Sequence, residues 1–281
     1  LLPASAGAML QLGIVVFAFC GLWGLERLGR IVGRWWLRGG GRGASAAPGL
    51  RLAMGLAALL LGLGALALVS LLIWSLAWRW SWPGILPDSW SLAAWSRPGT
   101  GWVEALAATL IAAAASTALA LALALAWLEA EDRGRLGRAR WSEALIYLPL
   151  MLPQIGFLYG LNIVFLRAGV SGGWLAVIWA HALFVFPYVM IALSATWRAL
   201  DPRLARAAGS LGAGPWRRFF AVKLPVLLRP ILTAAAIGVA VSVAQYLPTL
   251  FMGAGRVATL TTEAVALSSS SDRRITAVFA T

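Results

Sequence analysis

Residues 105–128 read ALAATLIAAAASTALALALALAWL, 24 positions without one charged side chain. A strand cannot use such a run alone in lipid, whereas a helix satisfies its own backbone there and needs about 20 residues to cross the hydrocarbon. Its alanines, Ser116 and Thr117 are small enough to let neighbouring helix backbones approach closely. Working outward, the same reading applies to residues 1–25, 52–78, 144–166, 168–197 and 230–255, all free of charge. About six transmembrane helices are predicted, and with them an all-α polytopic bundle. The composition agrees: of 281 residues, 61% are hydrophobic and only 12% charged, with a mean hydropathy of +0.83.

The net charge of +13 could suggest nucleic acid, but its placement points to topology instead. Seventeen of the 23 basic residues lie in 26–51, 129–143 and 198–229, which alternate with the other loops. The positive-inside rule puts these three in the cytoplasm. No nucleic-acid partner is expected. Trp78, Trp80, Trp82, Trp90, Trp95 and Trp102 flank the external 78–102 loop, where indole rings favour the headgroup level and Pro83, Pro87 and Pro98 oppose regular structure. The predicted helices are 1–25, 52–78, 103–128, 144–166, 174–197 and 231–252.

Between the last two lies DPRLARAAGSLGAGPWRRFFAVKLP, residues 201–225. Asp201 followed by Pro202 is a helix start, an Asp cap with Pro at the first helical position. A short helix to Ser210 should end near Gly212 and Gly214, and Pro215 should open a second, with Trp216, Phe219, Phe220 and Val222 toward the membrane interface. Pro225 and Pro230 are expected to break it.

This segment resembles the EAA loop of permease subunits of bacterial ABC importers: Glu-Ala-Ala, a Gly four residues on, then Leu-Pro. Ala207, Ala208, Gly212, Leu224 and Pro225 stand at those places. The resemblance implies a type I importer permease fold in the bacterial inner membrane. It implies that Asp201, Arg206, Ala207, Ala208, Gly209, Leu211, Gly212, Leu224 and Pro225 dock a cytoplasmic ATPase dimer. A periplasmic solute-binding protein and a second permease half are the further partners it implies, alongside membrane lipid. Arg206 departs from the pattern, because the family keeps a carboxylate there and a guanidinium cannot make the same ion pair. HALFVFPYVMIAL (181–193) and QYLPTLFMGAGRVATLTTEAVAL (245–267) resemble the second half of fused permeases for thiamine, ferric iron or related small solutes.

The same resemblance suggests a division of the chain. Residues 1–28 read as a helix left from a preceding repeat, 29–51 as a cytoplasmic basic linker with a flexible GGGRGASAAPGLR tract (39–51), and 52–281 as the permease domain, with ITAVFAT starting a helix cut short.

Polar side chains in hydrocarbon are costly and are candidates for a solute path. These are Gln154, Tyr159 and Asn162 on the 144–166 helix, His181 and Tyr188 on 174–197, and Gln245 and Tyr246 near Pro248. Glu104 sits at a helix end, where it can reach the interface. An ion-coupled secondary transporter is the alternative reading, but it asks for a central intramembrane carboxylate. A lone His181 and a lone Cys20 offer no metal site. The chain lacks the GxxxxGK[ST] phosphate loop and HExxH, and it has no GxSxG on a strand–helix turn, so no enzyme and no cofactor is expected. ATP would sit on a partner chain.

Overall fold

The computed structural model describes residues 2–38, 47–80, 84–96, 101–134, 140–268 and 272–281. Most of the Gly-rich tract, 39–46, lies outside the described residues, as do Trp82, Pro83, Arg97, Pro98, Arg135 and Arg138. The chain divides into two units, residues 101–263 and a second made of 1–100 with 264–281.

In the second unit, α1 (Leu2–Arg38) carries the first apolar run and continues unbroken through the basic residues after it. The expected linker from residue 29 is therefore helical up to Arg38. Arg30, Arg34 and Arg38 recur at one-turn spacing, and Glu26 faces Arg30 at 3.8 Å, so nothing in 29–38 opposes a helix. Helix α2 (Ala47–Leu76) likewise starts inside the predicted linker. The external loop is more regular than its prolines suggested. Strand β1 (Ala77–Arg79) pairs antiparallel with β2 (Ser89–Trp90), with Pro87 left outside the ladder, and the short α3 (Ala93–Ser96) follows. Helix α2 packs with the last helix, α14 (Arg273–Ala280), whose cap is Asp272.

The larger unit begins with α4 (Trp102–Asp132), the run that opened the reading. Next come α5 (Arg140–Met151), α6 (Gln154–Arg167), α7 (Trp174–Arg198), α8 (Pro202–Ser210) and α9 (Pro215–Arg218). A π-helical turn, Phe219–Lys223, leads to α10 (Leu224–Val226), α11 (Leu228–Val243), α12 (Leu247–Gly253) and α13 (Leu260–Ser268). Among the described residues, three helices are long and apolar enough to span, Gly49–Leu76, Trp102–Asp132 and Trp174–Arg198. Two bent pairs bring this to five at most, against about six expected.

Of the two bends, the first falls at a proline. The 144–166 helix is two helices at 107°, broken ahead of Pro153, whose ring cannot continue a ladder. The break predicted at Pro225 is absent. Pro225 occupies the first turn of α10, where its missing N–H costs nothing, and the 75° bend falls at Leu227. The 231–252 helix ends at Val243, and Gln245 and Tyr246 form a break before α12.

Helices α4, α7 and α11 make the core. The buried positions of α4 are Ala105, Thr109, Ala112, Ala113, Ser116, Thr117, Ala120, Ala124 and Leu128, recurring every three or four residues on one face of small side chains. Small residues bring the backbones close enough for dispersion to hold helices together where lipid removes the hydrophobic drive. Gly238 of α11 is the closest point: a Cβ there would lie 2.8 Å from Thr117 Cγ2 and 3.2 Å from Val185 Cγ1. Gly238→Val should therefore push α11 off α4 and destabilise the bundle by about 1–3 kcal/mol. A lowered thermal midpoint of the purified protein in detergent checks this, and an unchanged midpoint contradicts the crossing.

Candidate coupling loop and solute path

The 201–225 segment folds as its cap and glycines require. Asp201 Oδ1 accepts the Arg203 N–H at 2.8 Å, and Pro202 starts α8. At the other end, Ala213 N–H donates to Ala208 O and Gly212 N–H to Gly209 O, both at 2.9 Å. Gly212 has φ +83°, a left-handed conformation that closes the helix and is costly for other residues. No residue of α8 is buried. Arg206, Ala207 and Leu211 are exposed, with Leu211 at 87% projecting from the turn, while Ala208 and Gly209 are half-buried. The expectation for the aromatics holds in part. Trp216 and Phe220 are exposed and Val222 is half-buried, but Phe219 turns inward against Trp197 at 6.2 Å between ring centres.

This exposed element is tied to the bundle by a buried ion cluster that the sequence reading did not single out. Lys223 is only 8% exposed, and its Nζ lies 2.6 Å from Glu129 Oε2 and 2.7 Å from Asp132 Oδ2 at the end of α4. Asp132 also accepts from Trp197 Nε1 at 3.0 Å, and Arg198 pairs with Glu131 at 3.2 Å. Arg133 Nε donates to Glu129 Oε1 at 2.8 Å. The ends of α4 and α7 and the loop leading from α8 are thus joined at one knot. Two signals pointed to it: Lys223 is the only lysine, and EAED (129–132) follows the apolar run directly.

Within the membrane-depth core, His181 links α7 to α11 and α12. Its Nδ1 is 2.8 Å from Ser242 Oγ and its Nε2 is 2.8 Å from Thr249 Oγ1. Ser242 also meets Ser116 of α4 at 3.0 Å. Gln245 Nε2 donates to the His181 carbonyl at 3.3 Å, and its Oε1 is buried without a partner among the described residues. His181 is thus fully occupied as a bundle tie.

Four of the predicted path residues do converge. Gln154, Tyr188, Gln245 and Tyr246 line one cavity of about 340 Å³, bounded also by Phe184 and Pro248, and no charged residue lines it. Both helix breaks, at 152–153 and 244–246, open onto it. Tyr159, Asn162 and His181 are not brought there. Tyr159 is exposed elsewhere on α6, and Asn162 accepts from Ser171 Oγ at 3.2 Å. The breaks decide the difference, since a continuous helix would have spread these residues along its length.

A bent helical bundle with an exposed capped loop of this spacing has a counterpart among known proteins. Residues 118–281 match the family described as the inner membrane component of binding-protein-dependent transport systems. The chain belongs to that family. It is a multi-pass permease component of the inner membrane. Over 151 residues it is 44% identical to the inner membrane ABC transporter permease protein YnjC of Escherichia coli K12, covering 54% of this chain and 28% of that one. It is 30% identical over 115 residues to the molybdenum transport system permease protein ModB of Haemophilus influenzae, covering 36% and 50%. A third relative is the putative 2-aminoethylphosphonate transport system permease protein PhnV of Salmonella typhimurium, 27% identical over 184 residues, covering 64% and 68%. The chain therefore spans between about a quarter and half the length of the first two. Their names give no support to the thiamine or ferric-iron expectation.

Removing one member of a buried ion cluster strands its partners. Lys223→Met should cost about 2–4 kcal/mol by leaving Asp132 without its cation and Glu129 with Arg133 alone, and Lys223→Arg should cost less. Thermal unfolding in detergent ranks the two, and equal stability of Lys223→Met and the parent chain would remove the cluster from the account.

Proposed function

We propose that this chain forms half of the solute path of an ATP-driven importer and couples through residues 201–224 to a separate ATPase dimer. The observation that carries this reading is the capped, wholly unburied α8, its turn presenting Leu211, with the following segment held on α4 and α7 by Lys223. An exposed helix with an apolar tip, fixed at its base to two spans, is suited to receive a push from outside the membrane and pass it to the bundle. Such coupling requires two arrangements of the bundle, one preferred with ATP bound. The second permease half completes the path, a periplasmic binding protein delivers solute, and ATP is held by the partner chains.

The cavity at the two breaks is the solute's place in this scheme. Its amide and phenol groups hydrogen-bond without adding charge, so recognition there rests on hydrogen bonds and ring faces. Related permeases bear the names of molybdenum, putrescine and 2-aminoethylphosphonate systems. The uncharged lining singles out none of these. An ion-coupled transporter is disfavoured because Glu129, Glu131 and Asp132 are engaged by Lys223, Arg133 and Arg198 at a helix end.

Two experiments separate the loop from the cavity. Gly212→Val forces a side chain into the left-handed region at a cost of about 1–2 kcal/mol and should misplace Leu211. Together with Leu211→Asp it should lower co-purification of a co-expressed partner ATPase by at least about tenfold, as loss of an apolar anchor does. Full recovery of the ATPase in both variants sinks the docking assignment. Tyr188→Phe and Gln245→Ala should retain the ATPase but slow binding-protein-dependent uptake in reconstituted vesicles. Normal uptake in both removes the cavity from the path.

A further inference from the structure

A second concavity lies away from the solute cavity, on the outer face of the bundle. It is a half-open groove of about 420 Å³ between the last three turns of α4 and the aromatic segment that follows α8. Ala122, Leu125, Ala126 and Ala130 form one wall, and Trp216, Phe220 and Leu224 the other. At the cytoplasmic end stand Glu129 and Arg133.

Three observations say what fits it. The first is length: from Ala122 to Arg133 the helix advances about 16 Å, close to the depth of one bilayer leaflet at roughly 15 Å. The second is the change of character along it. The wall is apolar where the acyl layer would be, and charge begins only at the level of Arg133, whose guanidinium lies over the Trp216 ring at 5.0 Å. The third is an unmet donor. Arg133 Nε is used on Glu129, while Nη2 is buried and meets no acceptor among the described residues. A charged donor out of water is costly unless an acceptor is supplied. Glu129, the carboxylate lining the groove, is already engaged by Lys223 and Arg133, so it opposes an incoming anion only weakly. Arg217 and Arg218 follow Trp216 directly in the chain.

We propose that this groove binds one anionic phospholipid of the cytoplasmic leaflet. Its acyl chain lies along Ala122–Ala130 against Phe220 and Leu224, and its phosphate accepts from Arg133. Basic pockets at the cytoplasmic ends of spans are a recurrent way to hold anionic headgroups. Because the lipid would touch both α4 and the segment after α8, it would fill the space beneath the coupling loop. A choline headgroup, with no net charge, would share the apolar contacts but gain less from Arg133.

The test is native mass spectrometry of the full chain, purified in detergent and supplied with phosphatidylglycerol or phosphatidylcholine of identical acyl chains. The parent chain should retain one phosphatidylglycerol in preference to phosphatidylcholine. Arg133→Gln should reduce that preference roughly fivefold to tenfold, the worth of one cation near a headgroup. Ala126→Trp, which fills the groove without touching the ion cluster, should abolish retention of both lipids at unchanged thermal stability. Arg167→Gln, at the opposite membrane face, should retain the parental preference. Equal retention of the two lipids by the parent chain overturns the proposal. So does a preference that survives both Arg133→Gln and Ala126→Trp, or a groove held instead by a second polypeptide that co-purifies.

Discussion

A polar group in hydrocarbon must find its partner inside the protein, because no water is there to supply one. Much of this bundle follows from that constraint. It makes the spans helical, and it draws His181, Ser242, Thr249 and Ser116 into one buried set that joins four helices. It also bears on where regular structure stops: residues 244–246, and Leu150 and Gln154 on either side of the break at 152–153, line a cavity. Irregular backbone at membrane depth is tolerable only in such a place.

Close approach of the helices is the second requirement, and it limits which residues can stand where. The small face of α4 and the Gly238 crossing leave no room for larger side chains. Association driven by packing alone depends on such fit, since lipid tails solvate leucine as well as another helix does. The 49–76 span of the other unit has an apolar window that is not buried.

At the C-terminal end of α4 the side chains change and so does the bonding. Charges are affordable there, yet Lys223, Glu129 and Asp132 are held largely out of water and must be paired. The result is a stiff base for an exposed helix. Arg206, which departs from the EAA pattern this loop resembles, stands on the exposed side and not in this base. Its inversion therefore concerns the surface a partner would meet, and the loop's attachment to the bundle does not depend on it.

The helical class, the Asp201-Pro202 cap and the turn at Gly212 were legible in the residues themselves. Each rests on local chemistry: a charge-free run of given length, a side-chain acceptor beside free N–H groups, a backbone angle suited to glycine. Less legible were the helix breaks, because a proline in an apolar run is compatible with a kink, a full break or, as at Pro225, neither. The path residues show the same limit. Gln154, Tyr188, Gln245 and Tyr246 meet because two helices break and fold back, while Tyr159 and Asn162, equally polar, are left out. Lys223 with Glu129 and Asp132, over 90 positions apart, is likewise a product of the folded chain. Sequence determines what each segment can be in lipid; only the packing of segments decides which polar groups become partners, since that depends on distances no local pattern encodes.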